Sequence, residues 1–295
     1  MDIKILSKEA IRKGWSNDQK FHVTDEKGKS YLLRISDLER YERKQAEFNR
    51  MKEVAVLDIP MPLPIEFGIY EDEVYSIQSW IDGKDLKDVI LTFSDAKQYR
   101  YGVAAGQILK KIHSIPAPKS QEDWEIRFNR KMDRKIQIYM ECPIKYEKGE
   151  AFVNYINENR QLIKNRPQTY QHGDYHIGNM MIDNNGKLYI IDFDRDDYGD
   201  PWEEFNRIVW SAQKSPFFAT GIVDGYFKHE VPLEFWRLLA LYISSNSLSA
   251  LPWALQFGDE EIANIKRQAQ DVLSWYSNMK KIVPTWYCEN YLEQA

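Results

Sequence analysis

Short apolar runs alternate with polar turns in the first part of the chain, up to about residue 82. An apolar run of four to eight residues bounded by turn residues is typical of a β-strand. The stretch 2–35 reads as a helix followed by a β-meander, and a second helix is expected at 38–54, where Tyr41, Phe48 and Met51 recur at helical spacing. The first 81 residues are therefore expected to form a sheet of about five strands with an inserted helix. The apolar strand runs are residues 21–24, 30–36, 65–70 and 74–81.

The period of the apolar positions becomes helical after residue 82. Tyr101, Ala105, Ile108 and Ile112 lie on one stripe of a predicted helix that Pro116 helps to end. We therefore predict an α+β fold with two lobes, an N-terminal lobe at residues 1–81 and a C-terminal lobe at residues 82–295. The helices are expected at residues 97–113, 148–164, 202–213, 220–228, 232–248 and 260–281.

The stretch 170–205 interrupts the helical pattern with a polar loop and two short apolar runs. The turn between these runs ends in Asn185-Gly186, and Asn-Gly is the strongest short signal for a β-hairpin. Asp174 and Asn179 lie on the loop that enters the hairpin, and Asp192 follows its second strand. Because paired strands bring their outer ends together, we expect these three side chains to converge.

Three oxygen-bearing side chains without a soft ligand suit a hard cation such as Mg²⁺. Mg²⁺ usually takes one or two protein carboxylates and completes its shell with water and phosphate. A carboxylate that stays off the metal can accept a proton from an attacking hydroxyl. The residue types therefore predict a phosphoryl-transfer site.

Composition and charge narrow the class of protein. Hydrophobic residues make up 43% of the chain and the net charge is −5, with no long basic stretch, so nucleic-acid binding is disfavoured. The first residues lack the apolar core of a signal peptide, no uninterrupted apolar run is long enough to span a membrane, and Cys142 and Cys288 have no metal-like spacing. We expect a cytoplasmic protein without a membrane partner; an acidic chain also suits a cationic small substrate.

Two motifs resemble those of a known family. Residues 172–179 read His-Gly-Asp-Tyr-His-Ile-Gly-Asn, similar to the H-G-D-x-H-x-x-N loop of the aminoglycoside phosphotransferase and choline kinase family. Residues 191–194, Ile-Asp-Phe-Asp, are similar to its metal motif, and Gly199-Asp200-Pro201 matches the usual continuation. The resemblance implies a protein-kinase-like fold, with a nucleotide held between a β-rich and a helical lobe.

The resemblance also implies roles for the loop residues. Asp174 is the expected catalytic residue, which orients the acceptor hydroxyl and takes its proton. Asn179 and Asp192 are the expected Mg²⁺ ligands, and His172 braces the loop. The spacing of His172 and His176 would suit a helical zinc pair, but Gly173 disfavours a helix there and no third ligand is obvious.

The nucleotide-binding residues follow less directly from the resemblance. Arg34 occupies the strand position where kinases place a phosphate-binding Lys, and Glu47, or alternatively Glu42, is its expected helix partner. Arg stays charged and can bind phosphate bidentately. The remaining expected contacts are the phosphate flap with Ser16 and Asn17, and the purine hinge with Gln78 and Trp80.

The predicted activity is Mg²⁺-dependent transfer of the γ-phosphate of ATP or GTP to a hydroxyl of a small molecule. An aminoglycoside or related antibiotic is the acceptor that the resemblance suggests, and Asp196 and Asp197 are candidates for binding a cationic group. The alternatives are a metabolic kinase for an amino alcohol, sugar or amino acid, and a nucleotide-binding module without catalysis. A protein kinase is disfavoured because no A-P-E-like motif follows Asp192. The oligomeric state is not predicted.

Overall fold

Residues 1–12, 18–289 and 291 are described by the computed structural model of the chain. They divide into two compact units, one of residues 1–86 with 179–195 and one of residues 87–178 with 196 onwards. The sequence had suggested a single crossing at residues 81 and 82, whereas the chain returns to the first unit for residues 179–195. Residues 179–195 return to the first unit because residues 181–183 pair with residues 83–85 and the Ile190 N–H donates to the Pro60 carbonyl.

The elements of the first unit are mainly strands with one inserted helix, α1, and those of the second unit are mainly helices. The strands are β1 (Ile5–Ile11), β2 (Gln19–Asp25), β3 (Ser30–Asp37), β4 (Pro64–Tyr70), β5 (Glu73–Ser79), β6 (Gly83–Asp85), β7 (Thr169–Gln171), β8 (Met180–Asp183), β9 (Leu188–Ile190) and β10 (Asp197–Gly199). The α-helices are α1 (Tyr41–Ala55), α2 (Leu86–Val89), α3 (Asp95–Ile112), α4 (Trp124–Glu141), α5 (Glu150–Asn159), α6 (Ile208–Lys214), α7 (Pro216–Phe227), α8 (Leu233–Ala254) and α9 (Asp259–Trp275).

An antiparallel sheet with the strand order β1-β2-β3-β5-β4 forms most of the first unit. Its core contains Val23, Leu33 and Ile77, which are at most 1% exposed, and alternate residues of β3 supply the buried face. Helix α1 lies between β3 and β4 in sequence and packs Phe48 on Phe67 of β4, with ring centroids 5.4 Å apart. This confirms a five-stranded sheet with an inserted helix.

The helix that the sequence suggested near the N-terminus is wrong, because residues 5–11 form strand β1. β1 pairs antiparallel with β2 at the edge of the sheet, and its five central residues are exposed. Only Ile5 and Ile11 at its ends are partly buried. A strand with so few buried positions lacks the period-two alternation by which strands are predicted, and the pairing with β2 determines its conformation.

The Asn-Gly hairpin is confirmed as β8 and β9, with Gly186 at a φ of +80° in the turn. β6 pairs with the free edge of β8 and makes a three-stranded sheet. In addition, the Ile190 N–H donates a 3.0 Å hydrogen bond to the Pro60 carbonyl. These bonds join the hairpin to residues 60–85 and explain why it belongs to the first unit.

The second unit is built around the buried helices α3, α7 and α8. Helices α3 and α7 pack backbone to backbone: a Cβ on Gly102 would lie 2.1 Å from the Phe218 carbonyl oxygen, and one on Gly225 would lie 2.2 Å from that of Val103. Helix α8 is long and apolar enough to cross a membrane, but 61% of its most apolar window is buried and α4 and α5 pack against it. These are the features of a core helix.

Helix α4 was not predicted from the sequence. Asp123 caps it by accepting a 3.3 Å hydrogen bond from the Ile126 N–H. Trp124, Phe128 and Met132 recur at every fourth residue and are buried toward α8, while Lys and Arg fill most of the intervening positions. The narrow apolar stripe among so many charges hid the helical period.

Candidate active site

The loop with the His-Gly-Asp motif begins at the end of β7 in the second unit. β7 pairs with β10, so that Gln171 lies opposite Asp197. His172 follows and is fully buried, and Gly173 adopts a φ of +83°, a conformation that glycine tolerates without strain. The Gly173 N–H donates to both carboxylate oxygens of Glu204, at 3.0 and 3.2 Å. The buried carboxylate of Glu204 thus holds the loop in place.

Asp174 follows Gly173 in this loop and is partly buried. Its side chain is 15% exposed, and its backbone N–H donates to His172 Nδ1 at 3.3 Å. The carboxylate Oδ1 lies 3.3 Å from Arg207 Nε and 3.5 Å from His176 Nε2. This partly buried carboxylate, with two nitrogen groups nearby, can accept a hydrogen bond from an acceptor hydroxyl.

A buried histidine, His113, lies beside Glu204. His113 Nδ1 lies 3.0 Å from the Tyr226 hydroxyl, and His113 Nε2 lies 3.8 Å from Glu204. Complete burial lowers the pKa of His113, although the neighbouring Glu204 opposes this. His113 is therefore neutral at physiological pH, and the Glu204 oxygens accept the hydrogen bonds of the Gly173 N–H. The sequence offered no sign of Glu204's role beyond its place in an acidic cluster.

Asn179 and Asp192 lie at the same end of the β8–β9 hairpin in the first unit. The Asn179 carbonyl accepts a 3.0 Å hydrogen bond from the Ile191 N–H, which places the neighbouring Asp192 across from Asn179. Asp192 has a φ of +70°, a left-handed conformation that Asp adopts more readily than most residues. The first unit therefore brings these two predicted metal ligands together.

The donor set of Asn179 and Asp192 fits Mg²⁺. One amide oxygen and one carboxylate leave room for the water and phosphate oxygens with which Mg²⁺ completes its octahedral shell. Across residues 1–12, 18–289 and 291, no cluster of three His, Cys, Asp or Glu side chains suits a metal ion.

Arg34 connects Asp192, a predicted metal ligand, to the sheet. This β3 residue is only 7% exposed, and its guanidinium contacts Asp192 at 3.0 Å, Asp194 at 2.7 Å and Asp18 at 3.1 Å. Burial alone would lower the pKa of Arg34, but the three carboxylates raise it above its ordinary value. A permanently charged guanidinium next to a metal ligand is suited to binding a nucleotide phosphate.

Asp18 is a buried carboxylate beside Arg34 that no sequence motif indicates. It lies just before β2, is 7% exposed, and accepts hydrogen bonds from Ser36 at 2.8 Å, Arg40 at 2.8 Å and Lys44 at 2.7 Å, besides its contact with Arg34. Burial would raise the pKa of Asp18, but Lys44, Arg34 and Ser36 outweigh it and lower the pKa to about 2. Asp18 therefore connects Arg34 of β3 to Lys44 of helix α1. The sequence had indicated a carboxylate of the helix itself as the partner of Arg34.

The predicted helix carboxylate, Glu47, lines a cavity of the first unit. It is 7% exposed, and its oxygens contact Arg43 Nε at 2.8 Å and Lys44 Nζ at 2.9 Å. Glu47, Arg34, Lys44 and Asp18 all line this cavity of the first unit. The pairing of Glu47 with Arg34 stays a prediction.

The predicted purine hinge lies at the end of β5. Gln78 is buried and donates a 3.5 Å hydrogen bond to the Met51 sulfur, and it lines the same cavity as Arg34. Trp80 stacks on His22 with ring centroids 4.1 Å apart. The predicted flap residues Ser16 and Asn17 lie outside the described residues.

The predicted site residues are thus divided between the two units. Asn179, Asp192, Arg34, Glu47, Gln78 and Trp80 belong to the first unit, and Asp174 belongs to the second. The expected convergence of Asp174 with Asn179 and Asp192 stays a prediction. The β-rich unit with its inserted helix and the helical unit that carries the His-Gly-Asp loop define a protein-kinase-like α+β fold.

Comparisons with known proteins identify the family. Residues 8–239 match the model of the phosphotransferase enzyme family, and the chain belongs to this family. A comparison with curated protein sequences finds no match.

Solved structures agree in fold at low sequence identity. A thermostable mutant of aminoglycoside phosphotransferase APH(4)-Ia in ternary complex with ADP and hygromycin B is 16% identical with a TM-score of 0.64, over 91% of this chain and 94% of that one. Amicoumacin kinase hAmiN in complex with AMP-PNP, Ca²⁺ and amicoumacin is 14% identical with a TM-score of 0.65, over 94% and 90%. A GDP complex of an aminoglycoside 2'-phosphotransferase-IIIa mutant is 14% identical with a TM-score of 0.63, over 94% and 95%.

Proposed function

We propose that the protein transfers the γ-phosphate of ATP or GTP to a hydroxyl of a small molecule in a Mg²⁺-dependent reaction. The contact between Arg34 and Asp192 is the observation that carries the proposal, because it joins a phosphate-binding cation to a metal ligand. Asn179 lies across from Asp192 at the same hairpin end. Membership of the phosphotransferase enzyme family supports the same reaction class.

The acceptor side of the reaction is assigned to Asp174. Its carboxylate accepts the hydrogen bond of the acceptor hydroxyl, orients the oxygen and takes its proton. The hydroxyl oxygen forms a new bond to the γ-phosphorus. The bond between that phosphorus and the β–γ bridging oxygen breaks, and its electron pair leaves with the nucleoside diphosphate. Arg207 and His172 keep Asp174 in place, through the ion pair and the loop hydrogen bond described above.

The donor side is assigned to the first unit. Asn179 and Asp192 would hold Mg²⁺, which when bound offsets the negative charge that develops on the phosphates. Arg34 exchanges part of its contacts with Asp192 and Asp194 for phosphate oxygens, and Asp18 keeps it oriented. The backbone around Gln78 and Trp80 binds the purine, and Ser16 and Asn17 are assigned to the phosphates. Neighbours bound to ADP and to GDP support a purine nucleotide without choosing between ATP and GTP.

The acceptor is a small molecule. The structural neighbours bound to hygromycin B and amicoumacin support an antibiotic acceptor and a role in resistance. A metabolic compound with a hydroxyl group, such as an amino alcohol, a sugar or an amino acid, is the second candidate. A cytoplasmic location stays part of the proposal.

Substitution of Asp174 tests the proposed reaction. We expect Asp174→Asn to lower acceptor-dependent release of the nucleoside diphosphate by about 100-fold or more, the usual scale of general-base catalysis. Binding of the Mg²⁺–nucleotide should stay unchanged, as measured by thermal stabilisation with AMP-PNP. Retained turnover in Asp174→Asn would refute the mechanism, and stabilisation by nucleotide without turnover on any acceptor would instead indicate a nucleotide-binding module.

A further inference from the structure

Lys20 is a second cation beside the predicted metal ligand Asp192. It lies on β2, and its Nζ is 3.7 Å from Asp192 Oδ1. The Arg34 guanidinium contacts the same carboxylate oxygen at 3.0 Å. Two cations from neighbouring strands thus meet at one oxygen of Asp192, whereas the sequence had indicated only Arg34 as the phosphate-binding cation.

Strand pairing places Lys20 and Arg34 together. The two residues are direct partners in the antiparallel pair of β2 and β3, and directly opposed residues have their side chains on the same face of a sheet. The core residues Val23 and Leu33 lie on the other face, because side chains alternate along each strand. Lys20 and Arg34 therefore share the face that is turned away from the core cluster.

The same face of β2 also carries a residue that contacts the predicted purine hinge. His22 is two residues from Lys20, so both side chains lie on one side of the strand. The His22 ring stacks on Trp80 with ring centroids 4.1 Å apart. One face of β2 therefore contacts a hinge residue through His22 and a predicted metal ligand through Lys20. These are the places assigned to the base and to the phosphates of a nucleotide.

Arg34 is fully engaged by carboxylates, and Lys20 is not. Asp18, Asp192 and Asp194 contact the Arg34 guanidinium at 3.1, 3.0 and 2.7 Å. Among the residues that the structure describes, Lys20 contacts one charged group, Asp192, and the 3.7 Å separation is longer than a hydrogen bond. Because an ammonium group has three donor protons, Lys20 has donors available for phosphate oxygens.

The partial burial of Lys20 also favours a ligand beside it. The side chain is only 13% exposed, and a lysine ammonium is strongly hydrated in water. One long ion pair replaces little of this hydration, which makes the site costly without a further anion. Phosphate oxygens would supply that anion, and Lys binds phosphate well as a compact point charge.

We propose that Lys20 binds the phosphates of the nucleotide directly, beside Arg34. The assignment rests on the proposed function, since it places the phosphates at Asp192. In the nucleotide complex, Lys20 exchanges its long contact with Asp192 for phosphate oxygens, while Arg34 keeps its contact with Asp18. Strand β2 then supplies the lysine that protein kinases place on the next strand of the sheet.

Calorimetric titration with nucleotides and nucleosides tests the assignment. ADP and GDP are the probes with phosphate, adenosine and guanosine are the matched probes without it, and each is titrated into the full chain with Mg²⁺ and with EDTA. We expect K20M to weaken binding of the preferred nucleoside diphosphate by about 10-fold or more, the scale of losing a hydrogen bond to a charged group. Binding of the matching nucleoside should stay unchanged, because it carries no phosphate.

Two further variants separate a phosphate contact from a structural role. K20R keeps a cation at this position and should retain most of the affinity for the diphosphate. K27M is the matched control, because Lys27 is an exposed residue of the turn between β2 and β3, and it should bind every probe like the wild type. Because the proposed contact is direct, the loss of affinity in K20M should persist in EDTA, where no metal ion at Asp192 can mediate it.

The outcomes separate the assignment of Lys20 from the proposed function. Equal affinities for the diphosphate in K20M and K27M would overturn the assignment, and so would an equal loss for the diphosphate and the nucleoside. A loss that appears only with Mg²⁺ would also overturn it, because Lys20 would then act through Asp192. Phosphoryl transfer that is as efficient in K20M as in K27M would overturn the contact and leave the reaction intact. Lys20-dependent binding of the diphosphate, without phosphorylation of any hydroxyl compound, would support the contact and count against the reaction.

Discussion

Replacing Asp18 by Asn is the most direct test of how this protein holds its phosphate-binding arginine. Asp18 is a buried carboxylate that contacts Arg34, Arg40, Lys44 and Ser36. The amide has nearly the same shape as the carboxylate but no charge. Asp18→Asn thus keeps the packing and removes the electrostatic connection between β3 and α1.

The size of the effect follows from the pKa of the carboxyl. The pKa of Asp18 falls from 3.8 to about 2 in the folded protein, and at about 1.4 kcal/mol per pKa unit the ionised form contributes about 2–3 kcal/mol of folding free energy. Loss of one partner of a buried pair can cost about 3–5 kcal/mol. Here Arg34 keeps Asp192 and Asp194, so the lower figure applies.

Urea unfolding at several pH values measures this contribution. The folded pKa of Asp18 lies below its unfolded value, so the stabilisation is complete above about pH 4 and is lost as the pH falls toward 2. The free-energy difference between the wild type and Asp18→Asn should therefore be constant from pH 7 to pH 5 and decrease below pH 4. The KM for ATP should rise in the variant, because Arg34 loses a contact that orients it.

The matched control is Asp37→Asn. Asp37 ends the same strand as Arg34 but is exposed, and its side chain makes no capping hydrogen bond. If Asp18→Asn were as stable as Asp37→Asn at pH 7, the inference that Asp18 holds Arg34 would be refuted. An unchanged KM for ATP together with lost stability would restrict Asp18 to a structural role.

Three further predictions concern other parts of the molecule. Asp192→Ala should weaken binding of Mg²⁺–AMP-PNP, and an unchanged Mg²⁺ dependence in titrations would contradict its assignment as a metal ligand. Glu204→Ala leaves the partly buried Gly173 N–H without its acceptor, so unfolding should show a loss of about 1–3 kcal/mol and kcat should fall. Wild-type values of both the stability and kcat would show that the loop does not need Glu204. Gly102→Ala should destabilise the second unit by about 1–3 kcal/mol, the scale of overpacking, because its Cβ would lie 2.1 Å from the Phe218 carbonyl oxygen. Chemical unfolding of Gly102→Ala beside a control at an exposed residue of the same helix, Gln107→Ala, checks the last prediction, and equal losses of stability would contradict it.

Local sequence signals were sufficient to predict the β8–β9 hairpin and the loop with the His-Gly-Asp motif. Asn185-Gly186 between two apolar runs has few alternatives to a turn, and the spacing from His172 to Asn179 is a property of consecutive residues. The β-rich character before residue 82 and most helices after it followed from the period of the apolar positions, because that period depends only on neighbours along the chain.

Tertiary structure decided the contacts between distant residues. Asp18 lies 16 residues from Arg34, and Asp192 lies 158 residues from it, so no local pattern marks them as partners. Strand β1 and helix α4 were missed because pairing with β2 and packing on α8 outweigh their weak apolar patterns. The same holds for Arg207, which is one Lys or Arg among 40 in the sequence: only the fold places its Nε 3.3 Å from Asp174. Burial and charge pairing depend on three-dimensional neighbours, and these determine which of many charged residues form a site.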